Sequence, residues 1–76
     1  MRTATIRTEH DHPERVAAAV RPDDTDDVET AVDGDAVVLR VRRETTGGLA
    51  RTVDDALVNL RVADRLAGLA ADTHDT

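Results

Sequence analysis

The sequence predicts a single α+β domain in the order β-α-β-β-α, and three observations predict it. Short segments near residues 2–8, 28–32 and 36–43 alternate apolar or small residues with polar ones, the period of a half-buried strand. An Asp-Gly pair, Asp33-Gly34, joins the second and third of these and marks a hairpin. From residue 49 to 69 the apolar spacing changes to threes and fours, the period of a helix.

Taken in order, Arg2-Thr3-Ala4-Thr5-Ile6-Arg7-Thr8 is rich in β-branched residues and reads as the first strand. Ala4 and Ile6 face inward there, while Thr3, Thr5 and Arg7 face out. Asp11-His12-Pro13-Glu14 then opens a helix, with Asp three residues before Glu as in a capping box and Pro in the first turn. Val16, Ala17, Ala19 and Val20 supply its buried stripe, and Pro22 ends it at Arg21. Residues 23–27 form an acidic loop. In the third strand, Val37, Leu39 and Val41 point to one face and Val38, Arg40 and Arg42 to the other.

Thr45-Thr46-Gly47-Gly48 reads as a breaker before the last helix. That helix presents Leu49, Val53, Ala56, Leu57, Leu60, Ala63 and Ala67 along one side, and the tail at 71–76 is expected to fray. With the third strand in the middle, a three-stranded sheet is antiparallel throughout and needs no parallel crossover. Both helices then cover one face and leave the other wet. No repeat, linker or second domain is visible in residues 1–70.

Composition narrows what such a domain does. Its 76 residues include no Phe, Trp, Tyr or Cys, so eighteen Val, Leu, Ile and Met and twelve Ala must form the core. A chain this short buries only about 60% of its unfolded surface and is stable only marginally on its own. Disulfides are excluded, and association is the remaining aid, so a homodimer is expected. All ten basic residues are Arg, and twelve Asp with four Glu give a net charge of −6. Self-repulsion of that size matters less in concentrated salt, where the Debye length falls to about 3 Å at 1 M. The Asp-rich, Lys-free bias is that of a salt-loving cytoplasm. No segment approaches the ~20 apolar residues of a membrane span, so a cytoplasmic location is expected.

Catalysis needs a nucleophile, a base and a dry pocket. The chain has no Ser or Cys and little apolar volume to wall a pocket, so no enzyme, small-molecule substrate or cofactor is expected. Glu9-His10-Asp11-His12 offers ligand atoms at one junction, but capping and surface polarity account for them, and no metal site is expected. Gly47-Gly48 lacks the Lys of a phosphate loop. Asp54-Asp55 are neighbours that diverge around the helix, better read as first-turn acids than as a catalytic pair.

Two features remain. Val58, Val62, Leu66 and Leu69 form a second apolar stripe on the last helix, roughly opposite its core face and expected to meet a partner. Arg7, Arg40 and Arg42, with Arg43 beside them, share the open face of the sheet, where they either contact RNA phosphates or balance the acidic charge.

With these elements in hand, the chain resembles the small dimer-forming subunit of the KEOPS complex, in an archaeal halophilic version. The resemblance runs from Thr3 to about Leu69. It is carried by Arg15-Val16-Ala17-Ala19-Val20 before Arg21-Pro22-Asp23, by the hairpin, and by Gly48-Leu49-Ala50-Arg51 leading into Asp55-Ala56-Leu57-Val58-Asn59-Leu60. Family members often carry Asn-Ser after an Arg in the last helix; this chain has Asp55-Ala56 after Arg51, so a role tied to that Asn does not carry over. The resemblance implies a non-catalytic scaffold that forms a homodimer and binds the large threonylcarbamoyl-transferring subunit. It would thereby support threonylcarbamoyladenosine modification of transfer RNA, touching RNA only within the complex. A free-standing RNA-binding module and a generic dimeric adaptor are the alternative readings.

Overall fold

The computed structural model describes residues 1–21 and 27–74, with side chains described to Leu69. The elements follow in the expected order: β1 (Arg2–Glu9), α1 (Pro13–Val20), β2 (Val28–Asp33), β3 (Ala36–Arg43) and α2 (Thr46–His74). The predicted acidic loop lies outside the described residues apart from Asp27.

The sheet has the order β1-β3-β2, with both pairings antiparallel and β3 central. Ile6 sits opposite Leu39, and Thr30 opposite the same Leu39 on the other side. Ala4, Ile6 and Thr8 therefore share a face with Val37, Leu39 and Val41, and both helices pack on that face. The core joins Ile6, Val37, Leu39 and Val41 to Val16, Ala17 and Val20 of α1 and to Ala56, Leu60, Ala63 and Ala67 of α2. β3 carries the largest apolar share because it alone has a strand on each side.

The turn and helix ends differ from the sequence reading in ways that physical detail explains. The hairpin loop is Gly34-Asp35, one residue later than Asp33-Gly34, because Asp33 still pairs with Ala36. Gly34 takes a positive φ of 63°, and no other described residue does, the pattern of a two-residue turn with its left-handed position first. At α1 the expected capping box is absent. His12 occupies the N-cap position without a side-chain cap bond, and Pro13 begins the helix. Ala19 is exposed, so the buried stripe of α1 is Val16, Ala17 and Val20.

The largest departure is α2, which starts three residues before the predicted Leu49 and runs five past Leu69, to His74. Gly47-Gly48 does not break the helix; it forms the first turn. Thr45 caps it, accepting the Gly48 backbone N–H on Oγ1 at 3.0 Å, while Leu49 N–H makes the first helical bond to Thr45 O. A Cβ on Gly48 would stand 2.9 Å from that same Oγ1, so the capping geometry itself demands glycine. Asp54 and Asp55 consequently lie in the third turn, too far along to serve the helix dipole as first-turn acids. Leu57 is 39% exposed and does not belong to the core stripe, since it lies about 100° around the helix from Ala56.

Candidate functional site: an apolar helix face and a charge-balanced sheet

α2 is apolar on two sides. Ala56, Leu60, Ala63 and Ala67 are buried against the sheet and α1. On the outer side Val58, Val62, Leu66 and Leu69 stand between 50% and 57% exposed. These four recur at spacings of four, four and three, so they form one stripe along the helix. Ala19 of α1, which the sequence had assigned to the core, lines a shallow groove with Val20, Asn59, Val62, Ala63 and Leu66. The stripe thus extends across the α1–α2 boundary. Sequence periodicity found the α2 half; the α1 half is a matter of helix packing and has no local signal.

The open face of the sheet tells a different story. Register places Thr3, Thr5, Arg7 and Glu9 of β1 beside Ala36, Val38, Arg40 and Arg42 of β3, and Glu29, Ala31 and Asp33 of β2 beyond them. Arg7, Arg40 and Arg42 share this face as expected, but so do three carboxylates, Glu9, Glu29 and Asp33. Arg7 donates to Asp33 Oδ2 at 2.7 Å, reaching across β3. That hydrogen bond, followed by the charge of Asp33, raises the Arg7 pKa above its ordinary value. Glu29 stands directly opposite Arg40, and Arg42 N–H is bound to Asp27 O.

Arg43 departs from the expected cluster. It follows Val41 in the alternation and faces the helix side, close to Gly48 at the start of α2. The open face is charge-balanced within the monomer, and its basic part is confined to the β1–β3 half. There Thr3, Thr5, Arg40 and Arg42 line a depression of about 230 Å³.

The chain matches no family model, no curated protein and no solved structure.

The His-rich junction proves to be a structural tie. The His10 side chain is only 7% exposed and holds Asp64 Oδ1 through Nδ1 at 2.7 Å, with Thr8 Oγ1 at 2.7 Å from Nε2. A carboxylate only accepts, so Nδ1 carries the hydrogen and the ring's orientation is fixed. The His10 backbone N–H also binds Asp35 O at 2.9 Å. One residue thereby joins the end of β1, the hairpin and the middle of α2. Sequence reasoning missed this tie because its partner lies 54 positions away. Among the described residues, no group of three or more His, Asp and Glu side chains could hold a metal ion. No helix among them is long and apolar enough to cross a membrane.

Proposed function

We propose that this chain is a non-catalytic, dimerising scaffold subunit of the KEOPS complex. It would bind the threonylcarbamoyl-transferring subunit and support transfer RNA modification in a salt-rich cytoplasm. The observation that carries the reading is the outer stripe of α2. Four large aliphatic side chains at about half exposure are a poor surface for a free monomer but a good one for a partner that covers them. The stripe sits on a helix that packs on the core and is tied to the end of β1 through His10 and Asp64. Rigid placement of that kind suits docking. The resemblance along residues 3–69 supplies the identity of the partner.

An RNA role for the isolated chain is disfavoured by its own charges. A module that reads single-stranded RNA stacks bases on aromatic side chains, and the chain has none. Its three open-face arginines are matched by three carboxylates. RNA contact is therefore assigned to the assembled complex, with Arg40 and Arg42 as contributors.

Co-purification of the tagged chain at native salt tests the proposal. Recovery of the transferase subunit is expected from the wild type and is lost from Val58→Asp combined with Val62→Asp, which charges a face meant to be desolvated. Recovery unaffected by that pair would remove the stripe from the interface. Consistent failure to recover the transferase from the wild type would leave only a generic adaptor.

A further inference from the structure

Thr8, His10 and Asp64 form a chain of hydrogen bonds whose direction is fixed along its whole length. Thr8 near the end of β1 and His10 just past it are two residues apart, which turns their side chains to one side, and α2 brings Asp64 to meet them. The Asp64 carboxylate, with Oδ1 2.7 Å from the ring, only accepts, so the imidazole proton sits on Nδ1. Nε2 of the neutral ring is then a lone pair, and the Thr8 hydroxyl, 2.7 Å away, must donate to it. The ring is only 7% exposed and is held at both nitrogens.

Joining β1 to α2 needs only the bond between His10 and Asp64. The Thr8 bond adds a hydroxyl whose proton is already directed at a base, with a carboxylate placed to stabilise the imidazolium that forms when the proton moves. That is the order nucleophile, base and orienting acid. The Thr45 and Thr52 hydroxyls, by contrast, engage backbone groups.

We propose that Thr8 is a modification site, a nucleophilic hydroxyl that accepts one acyl group from an activated ester. In that step Thr8 Oγ1 bonds to the carbonyl carbon and its proton passes to His10 Nε2. The bond from that carbon to the leaving oxygen breaks, and the imidazolium returns the proton to the departing group. The products are an ester on Thr8 and a free alcohol or phenol. The donor's class follows from the surroundings. With His10, four carboxylates (Glu9, Asp11, Asp35 and Asp64) line an open cleft of about 290 Å³. They oppose the negative charge that develops on the ester carbonyl, and so favour a donor that carries its own cation, such as an amino acid ester with a free ammonium group. This modification goes beyond the scaffold reading and stands or falls without it.

Two p-nitrophenyl esters, the neutral acetate and the cationic glycine ester, test the proposal on the full chain, with acylated residues located by peptide mass mapping. The chain has no Lys, Ser, Cys or Tyr to compete. Thr8 should be acylated about 10²-fold faster than the exposed Thr3 and Thr5 of the same strand, the usual least gain from a positioned general base. The glycine ester should widen that ratio. Acidification should slow Thr8 selectively, since a protonated His10 has no lone pair at Nε2. Thr8→Val should abolish the product, and His10→Gln should reduce the Thr8 rate to that of Thr3. Asp64→Asn keeps the shape but not the charge of the positioning residue. It should slow Thr8 while the dependence on pH and the circular dichroism remain. Acylation of Thr8 no faster than that of Thr3 or Thr5 in the wild-type chain overturns the proposal without any variant having to fold. So does a Thr8 rate untouched by His10→Gln. A ratio larger with the acetate than with the glycine ester overturns the cationic donor.

Discussion

The two sides of α2 invert the usual order of sizes. Past the partly buried Leu49 and Val53 of its first turns, the side turned to the core carries three alanines and one leucine, Ala56, Ala63, Ala67 and Leu60. The side turned to solvent carries two valines and two leucines, Val58, Val62, Leu66 and Leu69. Small residues inside let the helix axis lie close to the sheet, and Leu60 fills what space is left. Large ones outside, about half exposed, bury only part of their apolar area in the monomer. A chain short of apolar volume, with no aromatic residue at all, has put much of what it has where its own fold does not use it. That contrast separates residues that serve folding from residues held for another molecule.

Substitutions on the two sides should therefore fail differently. Leu60→Ala, at a side chain 2% exposed, should lower stability by about 3 kcal/mol. That is a large share of the roughly 4–11 kcal/mol available to a domain of this size. Urea melts monitored by circular dichroism would show it, and a shift below 1 kcal/mol would mean the core repacks around the gap. Asp64→Ala comes next: it leaves the buried His10 Nδ1 without its acceptor and should lower stability by roughly 1–2 kcal/mol. Amide exchange should then rise first at the end of β1 and the middle of α2.

Gly48→Ala crowds the Thr45 cap and should cost about 1 kcal/mol, although alanine is the better helix former elsewhere. A stabilised variant would show that the cap yields cheaply. Smaller in folding terms is Val58→Asp with Val62→Asp, expected within about 0.5 kcal/mol of wild type per site while partner binding is lost. Arg7→Ala should leave the thermal midpoint nearly unchanged, since its pair with Asp33 is solvent-exposed. Arg40→Glu with Arg42→Glu should likewise spare the fold while weakening transfer RNA binding by the assembled complex.

What could be read from the sequence follows the range of the signal. Strand phase depends only on alternation and a central apolar strand, so Val37, Leu39 and Val41 and the order β1-β3-β2 were accessible. Helix α2 was found from its periodicity but mis-started, because a Gly-Gly pair is an average breaker and only the geometry of Thr45 shows it as a capped first turn. Leu57 and Ala19 were misplaced for a related reason. Each lies on the border of a stripe, where the neighbouring element decides burial. The acids that neutralise the open face were visible as residues, but their distance from Arg7 and Arg40 depends on register across two strands. His10 and Asp64, far apart in the chain, left no local trace.

The pairing of β1 with β3 has a consequence for how the chain reaches this structure. β2 and β3 are joined by a two-residue loop, and a hairpin of that kind closes in about 1–10 μs. β1 must find β3 across α1 and the segment after it, and that larger loop carries a greater entropic cost. Until β1 arrives, β3 has one side unpaired, and β3 is the most apolar strand in the molecule. During refolding the strand most able to recruit a foreign chain is thus the one completed last. Recovery of native protein from denaturant should fall as concentration rises, and the first residues of the chain act as the guard of its centre.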